Sequence, residues 1–358
     1  MCASTAKTGY GSSRLMPQRF GMDGILSNDT TLNPVFGTWN HAIMWYCSAD
    51  HWNGEKVEPV RNAVHGRNVS FYMQGRSMAI VLIDALKHRH GLGDMDEVIL
   101  TGDCSGAVSP VIGYGDEIIA RLPRVRKVRL VSSSGYFLQM PNRNPAWPDS
   151  VDSFQLDMDA RMFHGRLNPF WATVSPLVRP ELHPVSQWAA NGVFASLSEF
   201  NYPLQKAPVF ITNSAVDSCS LAATWSGVPE AMSIGPRGCL DRTSQSLAAC
   251  TGPELARVGD FRDMTLRALS FSGRLRAGRD GGFIHTCLGH ADGLRKDAAY
   301  RHTSIDGVSV RASRAPARSV PSLDLMCCHV GHSTHAIAGH SAGCPQKPAT
   351  ATFEVLSP

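Results

Sequence analysis

A short segment that reads as a strand, a tight turn and the start of a helix constrains this fold more than any other part of the chain. It runs from Val98 to Pro110 with the sequence Val-Ile-Leu-Thr-Gly-Asp-Cys-Ser-Gly-Ala-Val-Ser-Pro. The apolar run at its start predicts a buried strand. Gly102 and Gly106 stand two residues either side of Cys104, and such a turn lifts a small nucleophilic side chain clear of a sheet. The segment therefore predicts a nucleophile at the carboxyl end of a strand.

A carboxylate and a histidine follow this turn, in the chain order that α/β-hydrolases use. Asp217 comes just after the apolar run 208–212, and His290 lies further along. An imidazole with an ordinary pKa of about 6.5 can take the proton of a nucleophile and return it to a leaving group. A buried carboxylate fixes the tautomer of the ring and stabilises the imidazolium. Asp217 and His290 are therefore candidates for a carboxylate and a base that would act with Cys104 or Ser105.

Strand patterns alternate with helix patterns along most of the chain. This alternation predicts an α/β fold, a three-layer sandwich with a mostly parallel central sheet. The predicted elements are strands at 97–101, around 128–130 and at 208–212, helices at 72–90 and around 261–269, a loop at 141–150 and a flexible segment at 278–282. Residues 1–310 are expected to form one domain, and residues 311–358 a disordered tail of low complexity.

Composition excludes several classes of protein. Of the 358 residues, 43% are hydrophobic and 18% are charged, which is typical of a globular chain. The net charge is only +4 and the basic residues are dispersed, so a nucleic-acid partner is not expected. No apolar run has the length of a transmembrane segment. No cofactor is expected either.

The cysteines and two glycosylation sequons favour an oxidising, secretory setting. The chain has 10 cysteines, and the sequons begin at Asn28 and Asn68. The first residues lack the apolar stretch of a signal peptide, so either the protein is cytosolic or its true start is missing. Cysteines and histidines also crowd into residues 327–344, but their spacing fits no zinc finger, and we predict no metal site.

Several blocks of the sequence, in the right order, resemble the pectin acetylesterase/Notum family of carboxylesterases. These blocks are Gly11–Met16 with Gly24–Asn28, Trp45–Gly54, Ala207–Ser218, Phe261–Leu269 and Gly282–His290. The resemblance extends from about residue 2 to 310 and implies an α/β-hydrolase-like fold. It implies that Asp217 is the acid of the triad and His290 the general base. It further implies a secreted protein with a disulfide between Cys239 and Cys250.

The family pattern leaves the nucleophile open between two residues. The family turn reads Gly-(Cys or Ser)-Ser-Ala-Gly-Gly, and the second of its small residues attacks the ester. Aligned without a gap, Gly102 and Gly106 match, and Cys104 takes the place of the serine. With one residue inserted before Cys104, Ser105 becomes the nucleophile instead, and Asp116 aligns with an aspartate of the family.

Two further positions depart from the family pattern. The family takes an oxyanion donor from a Gly-Gly-Gly-Trp-Cys-like loop near its start, and this sequence has no such loop. We therefore expect an N-terminally incomplete version of the fold, with an uncovered edge of the sheet. The second departure is Ser133, which stands where the family usually has an aspartate, so a contact in the pocket is expected to differ.

The resemblance implies a carboxylic ester hydrolase that works through an acyl-enzyme and then water. O-acetyl groups on pectin-like polysaccharide are the favoured substrate. One alternative is a Notum-like enzyme that removes an O-acyl lipid from a protein. Another is a catalytically inactive relative that binds a glycan or an acyl ligand, which the altered turn and the absent loop would explain.

Overall fold

The structure is a computed structural model that describes part of the chain. The described residues are 24–46, 50–55, 57–64, 67–138, 198–225, 239, 247–275, 277–286, 288–290, 304–305 and 308–309. The predicted loop at 141–150, the tail from 311 onwards and its cysteines and histidines lie outside these ranges.

The helices and strands follow one another in an α/β order. The first half contains β1 (Val60–Val64), β2 (Arg67–Phe71), α1 (Gly75–Arg89), β3 (Glu97–Asp103), a short helical turn α2 (Ser105–Ala107) that continues as a π-helix (Val108–Gly113), α3 (Gly115–Ala120) and β4 (Lys127–Ser133). The second half contains α4 (Ser198–Asn201), β5 (Val209–Ser214), α5 (Ser218–Trp225), α6 (Gly252–Phe271), β6 (Gly281–His285), β7 (Ser304–Ile305) and β8 (Val308–Ser309).

The central sheet has four strands in the order β3-β4-β5-β6, and every neighbouring pair is parallel. The α/β class predicted from the sequence is therefore confirmed. Because parallel strands point the same way, the turn after β3 and the segments after β5 and β6 emerge at the same edge of the sheet. β1 and β2 form a separate antiparallel pair.

One face of the sheet carries the core. Leu100, Leu130, Ile211 and Ile284 are buried and belong to one hydrophobic cluster, in which they are packed together with Phe261 of α6. Alternation along each strand places them on the same face. Helix α6 begins with a capping box, in which the Thr251 and Glu254 side chains each bond the backbone N–H of the other.

The helix predicted at 72–90 is present as Gly75–Arg89. The prediction of a flexible segment at 278–282 was wrong for its last two residues, Gly281 and Gly282, because they belong to a strand. Strand β6 begins at Gly281 and pairs with β5. A Cβ atom at Gly281 would lie 2.6 Å from the ring of Phe210, and one at Gly282 would lie 3.2 Å from Leu275. These glycines therefore allow close packing. In the sequence alone, such a pair of glycines suggests a flexible segment instead.

The outer edge of β3 borders an apolar groove. Among the described residues no strand pairs with that edge. The groove has a volume of about 1030 Å³ and is lined by aromatic and aliphatic side chains together with the turn at residues 102–106. Asp217 and His290 are not part of its lining.

Candidate active site

The turn after β3 has the strained backbone of a nucleophile elbow. Cys104 has φ 53° and ψ −119°, a conformation that non-glycine residues rarely adopt and that recurs at functional sites. Ser105 follows it as the first residue of α2. The backbone N–H of Cys104 donates to the carbonyl of Ser133, which anchors the turn to the end of β4. The elbow therefore projects from the carboxyl edge of the sheet.

Position 102 has to be a glycine, because the backbone on the other side of this turn approaches it closely. A Cβ atom at this position would lie 2.0 Å from the carbonyl oxygen of Gly106, whereas one at Gly106 would meet nothing within 4 Å. The two glycines of the motif therefore differ in role. The one before the elbow makes room for the turn, and the one after it leaves open space beside the reactive residues.

We expect Gly102→Ala to abolish the native turn, because the clash involves backbone atoms that cannot move without shifting β3. The expected result is a chain that expresses poorly or unfolds at a much lower temperature, measured by the melting temperature. Gly259→Ala is the matched control. It lies inside α6 with no atom within 4 Å of the added Cβ, and it should stabilise the protein by about 0.5–1 kcal/mol. Equal melting temperatures for wild type and Gly102→Ala would contradict the close approach.

The sulfur at the elbow is already bonded. Cys104 is disulfide-bonded, and its partner is not among the described residues. The hydroxyl oxygen of Ser105 lies 3.7 Å from the Cys104 sulfur. Cys219 keeps a reduced thiol and packs against Cys104 in a small buried cluster. The elbow thus places two nucleophilic atoms side by side, and the disulfide occupies one of them.

The histidine and the carboxylate predicted from the sequence are in contact. His290 Nδ1 lies 2.6 Å from Asp217 Oδ2, and both side chains are largely buried. The other carboxylate oxygen of Asp217 accepts the backbone N–H of Ser220 at 2.8 Å, which fixes the carboxylate at the start of α5. The contact involves Nδ1 of His290, so proton transfer to a nucleophile would go through the other ring nitrogen, Nε2.

Backbone pairing beyond the strand ends brings these two residues together. Asp217 forms an isolated parallel bridge with Gly289, and Ser218 donates its N–H to the Gly289 carbonyl at 3.2 Å. Ala215 likewise donates to the carbonyl of His285 at 2.7 Å. The segments after β5 and β6 therefore stay in register, and this register positions His290 over Asp217.

An aromatic side chain connects the histidine to the elbow. The Phe137 ring stacks on the His290 ring with 6.5 Å between centroids and an interplanar angle of 18°. The same phenylalanine packs against Cys104 and Cys219. The ring of His51 lies 6.4 Å from the Phe137 ring, measured between centroids. Phe137 therefore contacts both the histidine of the His290–Asp217 pair and the cysteine of the turn.

The sequence did not single out His51, although its backbone, like that of the elbow, has a positive φ. His51 and Trp52 have φ values of 57° and 59°. Their loop is held by the buried carboxylate of Asp50, which accepts the N–H of Trp52 at 3.1 Å and of Gly75 at 2.6 Å. Burial lowers the pKa of His51 to about 4, so its ring is neutral at the pH where a histidine base works.

We expect this buried imidazole to make the protein acid-sensitive. Because the unfolded chain protonates His51 near its ordinary pKa of 6.5 and the folded chain only near 4, stability falls as pH drops from about 6.5 to about 4. The loss should reach about 3 kcal/mol relative to His51→Asn, since asparagine tolerates the left-handed backbone and does not titrate. Denaturant unfolding of both proteins at pH 7 and pH 4.5 measures this difference. An equal loss in the two proteins would contradict the assignment.

The structure also describes Ser133 and Asp116, two further residues that were considered from the sequence. Ser133 is fully buried beside Asp103 in the β3–β4 register, and its hydroxyl has no hydrogen-bond partner among the described residues. Asp116 accepts the backbone N–H groups of Lys206 at 2.7 Å and Ala207 at 2.9 Å. Asp116 therefore ties α3 to the segment before β5, which is a structural task.

The remaining predicted positions are also described. Cys239 and Cys250 are joined by a disulfide, as the resemblance implied. The sequon residues Asn28 and Asn68 are both exposed. Within the described ranges no group of three or more His, Cys, Asp or Glu side chains could hold a metal ion. None of the described helices has the length and apolar character needed to cross a membrane.

A parallel sheet whose carboxyl edge gathers a strained small-residue turn, a carboxylate and a histidine defines an α/β-hydrolase-like protein. A sequence profile described as Pectinacetylesterase matches residues 1–317. The chain therefore belongs to the pectinacetylesterase family, which places it among esterases of the hydrolase class.

Individual relatives lie in both branches suggested by the sequence. Pectin acetylesterase 11 of Arabidopsis thaliana is 26% identical over 295 residues, which cover 82% of this chain and 67% of that protein. Palmitoleoyl-protein carboxylesterase NOTUM of Drosophila melanogaster is 24% identical over 279 residues, covering 74% of this chain and 39% of that protein. A crystal structure of the Wnt deacylase Notum from Drosophila matches with a TM-score of 0.63 at 20% identity, over 86% of this chain and 77% of that one. At that identity the structural match concerns the fold alone.

Proposed function

We propose that this protein hydrolyses carboxylic esters, removing O-acetyl or other O-acyl groups, with acetylated pectin-like polysaccharide as the favoured substrate. The observation that carries the proposal is the 2.6 Å contact between His290 and Asp217 beside the strained turn at Cys104. Beside a nucleophile, a buried histidine oriented by a carboxylate can act as a general base.

Ser105 is the nucleophile of the oxidised chain in this proposal. The Cys104 sulfur sits in a disulfide, so it has no thiolate with which to attack a carbonyl carbon. The Ser105 hydroxyl lies beside that sulfur and carries a transferable proton. The elbow backbone at Cys104 favours the ungapped alignment, whereas the bonded sulfur favours Ser105. The proposal therefore takes Ser105, because a sulfur in a disulfide has no thiolate to attack a carbonyl carbon.

The reaction follows from these roles. Nε2 of His290 takes the Ser105 proton as the oxygen attacks the ester carbonyl, and Asp217 stabilises the imidazolium that forms. The backbone N–H of Gly106, directly after the nucleophile, would donate to the developing oxyanion, and each such donor lowers the barrier by about 2.7–4 kcal/mol. The alcohol leaves with the proton from His290. Water, activated by the same histidine, then releases the acid from the acyl-enzyme.

The apolar groove along β3 favours a second candidate, a Notum-like enzyme that removes longer acyl chains. The groove begins at Cys104, Ser105 and Gly106 and has a volume of about 1030 Å³. An acyl chain on Ser105 could therefore extend along the groove, where aromatic residues such as Trp39 and Trp52 line the wall. An enzyme specific for acetate would not need such a space.

Rates on esters of increasing chain length separate the two candidates. The purified oxidised protein is assayed with 4-nitrophenyl acetate, octanoate and palmitate, and with acetylated pectin by acetate release. Acetate as the best chromogenic ester, together with acetate release from pectin, supports the polysaccharide deacetylase. A rising kcat/KM towards octanoate or palmitate supports the long-chain deacylase. No hydrolysis of any ester by folded protein contradicts both and favours an inactive relative that binds the ligand.

We also propose that the protein works in an oxidising, extracellular setting. Disulfides at Cys104 and at Cys239–Cys250 persist in such compartments. Asn28 and Asn68 lie on the surface, where a glycan could be attached. Expression in a secreting eukaryotic host tests this proposal. A decrease in mass after treatment with a glycosidase specific for N-linked glycans is expected, and an unchanged mass would contradict glycosylation.

A further inference from the structure

Phe137 lies between the two halves of the proposed site. It follows β4, which is placed in the sheet between β3, the strand before the elbow, and β5, the strand before Asp217. The Phe137 ring stacks on the His290 ring, with 6.5 Å between centroids and 18° between the planes. It also packs against the small cluster that Cys104 forms with Cys219. The ring therefore contacts the proposed general base, although the proposed hydrolysis gives it no task.

The segment that carries Phe137 is held firmly on the side of β5. Ser134, directly after β4, has φ 49°, a left-handed conformation that persists only where neighbouring contacts enforce it. Its N–H donates to the carbonyl of Thr212 at 2.8 Å, and the N–H of Tyr136 donates to the Asn213 side chain at 3.1 Å. Both acceptors belong to β5, so the segment is tied to the strand that leads to the carboxylate of the proposed triad.

Further contacts fix the same segment against α2 and α4. A Cβ atom at Gly135 would lie 2.3 Å from the side chain of Ala107, so the segment lies directly against α2. The carbonyl of Phe137 accepts the N–H of Ser198 at 3.1 Å, and the hydroxyl of Ser198 donates to the carbonyl of Gly135. The position of the phenylalanine is therefore set by the backbone around it and does not depend on His290.

A histidine that acts as a base needs its ring fixed in more than one direction. The 2.6 Å contact between Nδ1 of His290 and Oδ2 of Asp217 fixes one edge of the imidazole. A single hydrogen bond still allows the plane of the ring to tilt. A flat aromatic ring that is itself held in place and is stacked on the imidazole opposes this tilt, because the two faces pack together. Tilting would displace Nε2, the nitrogen that takes the proton.

We propose that Phe137 is a positioning residue of the general base, which holds the plane of the His290 ring so that Nε2 is directed for proton transfer. This inference rests on the proposed esterase function. Phe137 acts through His290 and does not act by contacting the acyl group. Because a misplacement of about 1 Å can lower a rate by about 100-fold, the loss of the phenyl ring should appear in kcat and be the same for short and long acyl groups.

Phe137→Leu tests this role, with Phe137→Tyr and Phe261→Leu as matched controls. Leucine keeps the position apolar but removes the flat ring, whereas tyrosine keeps the ring. Phe261 lies in the hydrophobic core on α6 and is 2% exposed, so the same change there affects stability without a change at the base. Each variant is assayed with 4-nitrophenyl acetate and octanoate, after its melting temperature has shown that it is folded at the assay temperature.

We expect Phe137→Leu to lower kcat by about 10–100-fold on both esters with KM nearly unchanged, and Phe137→Tyr to stay within about threefold of wild type. Phe261→Leu should melt at a lower temperature and keep the kcat of wild type. In a His290→Ala background, Phe137→Leu should lower kcat by less than about twofold further, because the ring acts only through the base. If Phe137→Leu does not fold, Phe137→Met takes its place in every comparison.

Three results would overturn the positioning role while the esterase proposal stands. A wild-type kcat in Phe137→Leu would show that the base needs no stacked ring. A loss confined to octanoate, with a raised KM, would make Phe137 a contact of the acyl chain. A further loss beyond about twofold in the His290→Ala background would show that the ring acts independently of the base. If wild type hydrolyses no ester, the esterase proposal itself is wrong, and the positioning role falls with it.

Discussion

Replacing His290 with alanine is expected to lower kcat for ester hydrolysis by about 10⁴-fold or more in protein that remains folded. The imidazole is the only described group positioned by Asp217 beside the elbow, at 2.6 Å. Without it the Ser105 proton has no acceptor, so the hydroxyl remains a weak nucleophile. Asp217→Asn should cost about 10⁴-fold as well, because the amide holds the ring in the wrong tautomer.

Steady-state kinetics with one chromogenic ester measure these effects, and the two variants together should lose no more than the worse of them alone. Such non-additivity is expected when residues act as a unit. His88→Ala is the control, since His88 is exposed near the end of α1 and should leave kcat unchanged. A His290→Ala variant with at least a tenth of wild-type kcat would remove His290 from the mechanism.

A large effect on stability is also expected at a buried ion pair that joins β5 to the turn before β6. Arg274 and Asp280 are 4% and 0% exposed at their side chains, with Nε and Oδ2 2.5 Å apart. A second bond joins Nη2 to Oδ1 at 3.0 Å. Oδ1 also accepts the N–H of Val209, the first residue of β5, at 3.0 Å. The pair therefore fixes the register of the two strands that lead to Asp217 and His290.

We expect Asp280→Asn to lower the free energy of unfolding by about 3–5 kcal/mol, because it leaves the Arg274 guanidinium charged and uncompensated in the interior. Urea denaturation measures the change. Asp94→Asn is the matched control: its partner Arg124 lies 2.7 Å away, but the side chains are 62% and 69% exposed, so the loss should stay below about 1 kcal/mol. Equal losses in the two variants would contradict the account of the buried pair.

A double variant separates the cost of an unpaired charge from the value of the pair. Replacing both residues, as Arg274→Met with Asp280→Leu, removes the buried charge altogether. It should be more stable than Asp280→Asn alone, since apolar residues of similar volume often replace buried ion pairs without loss. If the double variant is the less stable of the two, the pair itself contributes the stability.

The sequence predicted the fold well where apolar periodicity and glycine spacing carry the information. Strands β3 and β5 and helix α1 lie within a few residues of their predicted positions. Asp217 and His290 could be chosen mainly through the resemblance to the pectin acetylesterase/Notum family, and of the two only Asp217 follows a strand predicted from the sequence. Their contact, by contrast, depends on the bridge between Asp217 and Gly289, which is a long-range pairing.

The features that the sequence did not reveal all depend on neighbours distant in the chain. The disulfide at Cys104 decides which nucleophile is available, but a cysteine after a strand has the same residue type whether it is bonded or reduced. His51 lies in a polar turn sequence, and nothing local indicates that the folded protein buries it. Gly281 belongs to a glycine pair that reads as a flexible loop until the ring of Phe210 is placed against it.

The most direct test of the account is fluorophosphonate labelling of the purified, oxidised protein, followed by peptide mapping of the adduct. The account predicts one adduct on Ser105, absent from His290→Ala, while Cys104 remains in its disulfide. The same reagent on the His88→Ala control should label fully. Folded protein that gives no adduct, or one at a residue other than Ser105, would contradict the claim that this turn and His290 form an esterase site.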